Sequence, residues 1–213
     1  MTSDPAGRKG TARASQADRR ARSRTALLEA AAQGLSRYGY GNLALEQVAH
    51  DAGYTRGALY HQFRNKQELS LAVIDWVMAA WQDEVGVLVD AETDPVAALL
   101  TLARGHARFC RRDVARMAVA LRLEFAGQDH PVGRHIEQAY DTITRHATAL
   151  VRAARDAGPV PHGPPDQVVG LALIGALEGT VIALAGHPEH DELLAARAVA
   201  GVLGLSADTI DGS

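Results

Sequence analysis

The chain is predicted to be an all-α protein of about nine helices, and three observations carry that prediction. Apolar residues recur three and four apart along nearly its whole length, which is the period of a helix face. No segment alternates apolar and polar residues as a half-buried strand does. Alanine is plentiful while aromatics make up only 5% of the chain, a composition suited to helices packed closely through small side chains. At 213 residues and 47% hydrophobic, the chain has room for a small domain followed by a larger one.

Residues 1–21 are mostly Arg, Ala, Ser and Gly with little to bury, and are expected to be a disordered basic arm. Arg8, Lys9, Arg13, Arg19, Arg20 and Arg22 give it charge, either to reach phosphates or a minor groove or as a solvated tail of nonspecific attraction. The start has no apolar core of the kind a secretory signal carries. Leu27, Leu28, Ala31 and Leu35 then lie on one face of a first helix, which Gly39 and Gly41 end. Leu45, Val48, Ala49 and Ala52 define a second helix, closing at Gly53. Only Tyr54 and Thr55 precede a third, for which Thr55 is a good N-cap because its hydroxyl can accept an orphan backbone N–H.

Two short helices across a tight glycine-containing turn match the helix-turn-helix layout, whose second helix enters the DNA major groove. The third helix is slim and polar, with Arg56, Tyr60, His61 and Gln62 able to hydrogen-bond beside small Gly57 and Ala58. Leu59 and Phe63, four apart, leave it only a narrow stripe for packing. Charge agrees: residues 1–66 hold eleven Lys/Arg and five Asp/Glu, a net of +6, so the remainder of a chain of net −3 carries −9. A basic head on an acidic body directs the head at a polyanion such as nucleic acid.

Residues 24–69 resemble the DNA-binding domain of TetR-family (tetracycline-repressor-type) transcriptional regulators. The matching pieces are Leu28-Glu29-Ala30-Ala31, Gly39-Tyr40, Val48-Ala49, Ala52-Gly53 and Thr55-Arg56-Gly57-Ala58-Leu59-Tyr60, followed by Phe63 and Lys66. The chain departs from the family where Leu43-Ala44 replaces the usual Thr or Ser, with Asn42 left as the substitute cap, and where Tyr54 replaces a smaller aliphatic residue. The resemblance implies a helix-turn-helix domain over 22–66 and a helical effector-binding and dimerisation domain over 67–213. By residue type, Arg56 and His61 are assigned to base edges or phosphate and Ala58 to a thymine methyl. Tyr60, Gln62 and Lys66 fall to phosphates, and Thr55 to the cap and a phosphate.

The body continues in the same period. Asn65 caps a long helix over about 67–89, long enough to bridge two domains. Asp94-Pro95 opens another carrying Leu99, Leu102, His106 and Phe109, since proline suits a first turn. A helix from about Asp113 holds Val114, Met117, Ala118, Leu121 and Phe125; after His130-Pro131 one more runs over about 132–157 with Ile136, Tyr140 and Ile143. The stretch 168–186 is apolar almost throughout, yet Glu178 near its middle and the lack of Lys/Arg flanks argue against a membrane span. On a helix its bulky residues (Leu173, Ile174, Leu177, Val181, Ile182, Leu184) and its small ones (Ala172, Gly175, Ala176, Gly179, Ala183) form opposite halves, both expected to be buried. A last helix carries Leu193, Leu194, Ala198, Val199, Val202 and Leu203.

One helix-turn-helix module per chain implies a homodimer on a palindromic double-stranded operator. The last two helices are the expected contact, and the resemblance agrees in implying a four-helix bundle there. It also implies a pocket for a small-molecule effector at the centre of the body, with Trp81, His106, Phe109, Met117, Leu121, Tyr140, Ile143 and Glu178 as candidate lining, each otherwise plain core. No cofactor or metal is expected: His187 and His190 flank a proline, and His106 with Cys110 lacks a third, orienting group. A lone cysteine fits a reducing compartment and, with the absence of a signal, the cytoplasm. A ligand-independent or nonspecific DNA-binding protein, or a helical ligand carrier or enzyme, are the other readings.

Overall fold

The computed structural model describes residues 15–206. Arg8, Lys9 and Arg13 of the expected arm lie outside the described residues. Helix α1 (Gln16–Tyr38) starts well before the expected domain boundary at Arg22, so Arg19 and Arg20 are helical and not part of a disordered arm. Ser15 is the cause. Its hydroxyl accepts from the Asp18 N–H at 3.1 Å while the Asp18 carboxylate accepts from the Ser15 N–H at 2.9 Å, a capping box that satisfies two orphan donors.

Helices α2 (Leu45–Asp51) and α3 (Arg56–Gln62) follow, with the turns made by Gly39 (φ 73°) and Gly53 (φ 74°), both in a region costly for any residue with a Cβ. Thr55 caps α3 by accepting from the Ala58 N–H at 3.2 Å. Asn42 does not cap α2: its amide donates to the Tyr38 carbonyl at 3.2 Å and so closes the end of α1. Ala44 stands at the α2 cap with no side-chain bond. Leu43 replaces the lost hydroxyl with burial, at 6% exposure, beside Gly34, where an added Cβ would meet its Cδ1 at 2.6 Å. Leu27, Leu35, Leu59 and Phe63 close the core of this head.

Asn65 caps α4 (Lys66–Trp81) by accepting from the Glu68 N–H at 2.8 Å. One π turn (Gln82–Gly86) carries α4 into α5 (Val87–Ala91), making a rod over 66–91 of roughly 39 Å at ~1.5 Å per residue. Its inward residues Val77, Trp81, Val85 and Val89 are all buried. They stand four apart, and on a 3.6-residue helix such a row drifts around the axis unless the ladder widens, as it does here. The body continues with α6 (Pro95–Phe109), a 3₁₀ turn (Asp113–Arg116) leading into α7 (Met117–Glu124), α8 (Pro131–Asp156), α9 (Asp166–Ala183) and α10 (Pro188–Leu203). With α4 and α5 taken as one rod, the described residues form nine helices and no strand.

Helices α6, α8, α9 and α10 pack on one another to form the body, and α1 packs on α4 and α7 to join the head to it. At the α6–α10 contact the Arg111 guanidinium donates to Asp191 at 2.8 and 3.0 Å, and holds that buried carboxyl below its ordinary range. Helix α9 turns Leu173, Ile174 and Leu177 into the body. Its opposite side differs from the expectation of burial all round: Val168, Leu171 and Ile182 are 52%, 53% and 59% exposed, with Ala172, Gly175, Gly179 and Ala183 also exposed between them. Among the described helices α9 alone is long and apolar enough to cross a membrane. Glu178 within it faces Arg122 of α7 at 3.7 Å, and the helix packs on α8 and α10 as an ordinary element of the body.

Candidate functional site

Helix α3 is held from beneath and leaves its polar side free. Leu59 and Phe63 are enclosed, whereas Thr55, Arg56, Tyr60 and His61 are exposed and Ala58 is half-buried. Arg56 lies 5.3 Å over the Tyr60 ring and 3.1 Å from Glu46, a surface ion pair worth about 1 kcal/mol or less and so readily exchanged for another acceptor. Beside this face, Arg19, Arg20, Arg22 and Ser23 of α1 form a cleft with Tyr54, Ala58, His61 and Gln62. Sequence reasoning left Tyr54 out of the site; its large ring at a turn position where small residues are usual was the available signal.

Two assigned residues do structural work as well. The Gln62 amide donates to the Ser23 hydroxyl at 2.9 Å, pinning α3 to α1. The Lys66 ammonium donates to the Tyr40 and Gly41 carbonyls at 2.7 and 3.0 Å and sits 4.6 Å over the Tyr40 ring. Both are half-buried.

The same turn is where head and body are bonded. The Glu124 carboxylate, at the end of α7, accepts from the Tyr40 N–H at 2.6 Å and the Gly41 N–H at 2.7 Å. Phe125 and His130 stack on each other with centroids 4.4 Å apart, and each meets the Tyr40 ring at an angle. Nothing in the spacing of Glu124 advertises this role, because its partners are backbone groups far away in sequence.

Within the body lies a cavity of about 310 Å³, walled by α4, α6, α7, α8 and α9. Of the eight candidate residues, Trp81, His106, Phe109, Tyr140, Ile143 and Glu178 line it. Met117 and Leu121 do not: both are fully buried, one turn apart on a different face of α7. Ala118, Val119, Ala120 and Leu123 present the α7 wall instead, and Cys110, Arg116, Ile174, Leu177 and Ile182 also line the cavity without having been candidates for it. A larger open cleft of about 770 Å³ beside the α8–α9 loop is charged, but Arg152 and Arg155 are spent on Asp166 at 3.1 and 2.6 Å.

Three polar groups of the cavity, Trp81, His106 and Cys110, hold one another. The Trp81 indole N–H donates to His106 Nδ1 at 3.3 Å, which places the imidazole proton on Nε2, 3.5 Å from the Cys110 sulfur. Burial pulls His106 down to about 4, so it is neutral at pH 7. Burial likewise pushes the Cys110 thiol up to about 12, which leaves no thiolate for nucleophilic chemistry. The Tyr140 phenol is raised by burial first and by the Glu178 carboxylate next. Among the described residues no group of three or more His, Cys, Asp or Glu is placed to hold a metal ion.

His106 makes a measurable prediction. Its folded pKa lies below the unfolded value of ~6.5, so the unfolded state binds the extra proton and stability falls as pH drops from about 6.5 to about 4. The loss approaches about 3 kcal/mol at full development. Urea titrations across that range should show this slope, and His106→Gln should flatten it.

An exposed polar helix after a tight turn on a three-helix head, bonded to a helical body with a cavity, is the layout of helix-turn-helix transcriptional regulators. The particular family follows from the head. Residues 27–73 match the model of bacterial regulatory proteins of the tetR family. By sequence, no curated protein matches the chain. Among solved structures, AibR in complex with isovaleryl coenzyme A and operator DNA is similar at 20% identity and TM-score 0.70, over 86% of this chain and 100% of that one. A TetR-family transcriptional regulator from Streptomyces coelicolor is similar at 21% identity and TM-score 0.71, over 86% of this chain and 95% of its own. The fatty acid degradation regulator FadR from Bacillus halodurans is similar at 18% identity and TM-score 0.69, over 84% and 94%. At such identities the likeness shows the fold alone, over the 84–86% of this chain that is covered.

Proposed function

We propose that the protein is a homodimeric, sequence-specific repressor of transcription that a small molecule releases from a palindromic operator, acting in the cytoplasm. The observation that carries this reading is the exposed polar side of α3 in a head of tetR-family type. Residues 22–66 serve as the DNA-binding domain, extended at its start by the first turns of α1, and 67–213 as the effector and dimer domain. Arg56 and His61 read base edges, Ala58 lies against a thymine methyl, and Thr55 and Tyr60 hold phosphates. Gln62 and Lys66 position the recognition helix, and Lys66 keeps one ammonium proton for a phosphate beyond its two carbonyl bonds.

Dimerisation uses α9 and α10. Gly175 and Gly179 stand mid-helix with nothing within 4 Å of an added Cβ, although each glycine there costs the helix ~1 kcal/mol relative to alanine. A second backbone crossing closely is the physical use for such a groove, flanked by exposed Val168, Leu171, Ile182, Leu193 and Leu194. The cavity is the effector site. AibR, of the same fold, was solved with both an acyl-CoA and operator DNA, which supports coupling of two sites in this architecture. Here α7 connects them: Ala118 to Leu123 wall the cavity and Glu124 holds the head. A ligand acts only through its differential affinity for the two arrangements.

The test is fluorescence anisotropy with the DNA upstream of the protein's own coding sequence. Arg56→Ala should cost about 1–3 kcal/mol and relax preference at one base position. Lys66→Ala should weaken all duplexes alike and lower the salt slope by about one. Unchanged binding in both variants, or a specific-to-nonspecific ratio near one, rejects the reading.

A further inference from the structure

Several polar side chains around the body cavity are matched inside the protein. His106, Trp81 and Cys110 satisfy one another. Arg116, the other charged residue of the wall, has an interaction of its own. Glu178 is different. Its side chain is 17% exposed; Oε2 faces Arg122 at 3.7 Å, while Oε1 is buried with no hydrogen-bond partner. Arg122 neutralises it only in part, because the same guanidinium bonds Glu137 at 3.2 Å and lies 4.3 Å over the Tyr140 ring. Two carboxylates therefore share one cation, the Tyr140 phenol lies beside Glu178, and the oxygen left without a bond belongs to a residue that lines the cavity. An ionised carboxylate only accepts hydrogen bonds, so what completes this site must donate one, and a positive donor does so best. Leu102, Phe109, Val119, Ile143, Ile174 and Leu177 of the lining offer only apolar contact.

We propose that the cavity takes an apolar ligand bearing a protonated amine, whose N–H is accepted by Glu178 Oε1. This rests on the reading of the cavity as the effector site and narrows it to a chemical class. It sets the chain apart from AibR, which takes an anionic acyl-CoA. An anion here would be brought against a carboxylate already short of countercharge. With about 310 Å³ of space, at the low end of the ~300–1,000 Å³ of ligand sites, the cavity suits a compact amphiphile.

Isothermal titration of the full-length dimer at pH 7 with n-decylamine, n-decanol and decanoate, each below its micelle-forming concentration, tests the assignment. Decylamine should bind at least about tenfold tighter than decanol, because the ammonium adds ion pairing with the carboxylate to a hydrogen bond that the hydroxyl can also donate, and decanoate should bind weakest. Glu178→Gln should bring decylamine down to the level of decanol, with circular dichroism and the melting temperature reporting that the variant is folded. Decanoate binding as well as decylamine, or an amine preference that survives Glu178→Gln, overturns the proposal. Decanol bound without any amine preference sinks this inference alone. If none of the three compounds binds, and Ala118→Trp in the cavity wall leaves operator affinity and thermal stability untouched, the effector reading falls with it.

Discussion

Gly179→Arg leaves the protomer folded and takes the dimer apart. The position is open, with nothing within 4 Å of an added Cβ, and arginine is a better helix former than glycine by several tenths of a kcal/mol. Circular dichroism should therefore show unchanged helicity and an equal or higher melting temperature for the isolated chain. Sedimentation should nevertheless show a monomer, because a guanidinium placed where two backbones cross is both too bulky and unpaired. Operator affinity should then fall by about 10²–10⁴-fold, the advantage that two linked recognition helices hold over one. Gly179→Ala, a methyl group at the same place, gives an intermediate loss. A Gly179→Arg variant that sediments as a dimer with full affinity moves the interface elsewhere.

Glu124→Ala should break communication between body and head. The carboxylate takes two backbone N–H groups at the end of the α1–α2 turn. Hydrogen bonds to a charged acceptor contribute ~1.5–3 kcal/mol each; these lie near the surface, so about 2 kcal/mol for the pair is the expected loss in urea denaturation. Amide exchange at Tyr40 and Gly41 should accelerate, while exchange in α9 stays as in the wild type. Any ligand that shifts operator affinity should lose most of the usual ~5–150-fold coupling in this variant, although it still binds the cavity. Glu124→Gln keeps an acceptor oxygen and should recover part of the stability. Full ligand response in Glu124→Ala would place the connection along α4 alone.

Much of this architecture is visible in the sequence because helix signals are local. Thr55, Asn65 and Asp94 cap as their type predicts, and Gly39 and Gly53 turn the chain where their freedom is needed. The capping box of Ser15 and Asp18 was equally local, but the arginine-rich composition around it reads as unstructured. Tertiary relations were harder. Periodicity places Met117 and Tyr140 alike on apolar faces, and only the packing of five helices decides that one lies in the core and the other on a cavity. Asn42 illustrates the same limit from the opposite direction, since a capping residue between two helices can serve either, and here it serves the first. The Glu124 bonds depend wholly on how the body docks. So does the exposure of one side of α9, for an apolar helix looks the same in sequence whether its own chain or another covers it.

The fit of Leu43 over Gly34 bears on how such a protein diversifies. With its methyl group 2.6 Å from where a Cβ would stand, the leucine must turn or shift to admit even alanine at 34. The two positions are thus coupled through the placement of one methyl group. A head transplanted from a relative with a hydroxyl at 43 should graft best as a complete unit, because the contact between its first two helices then arrives already fitted.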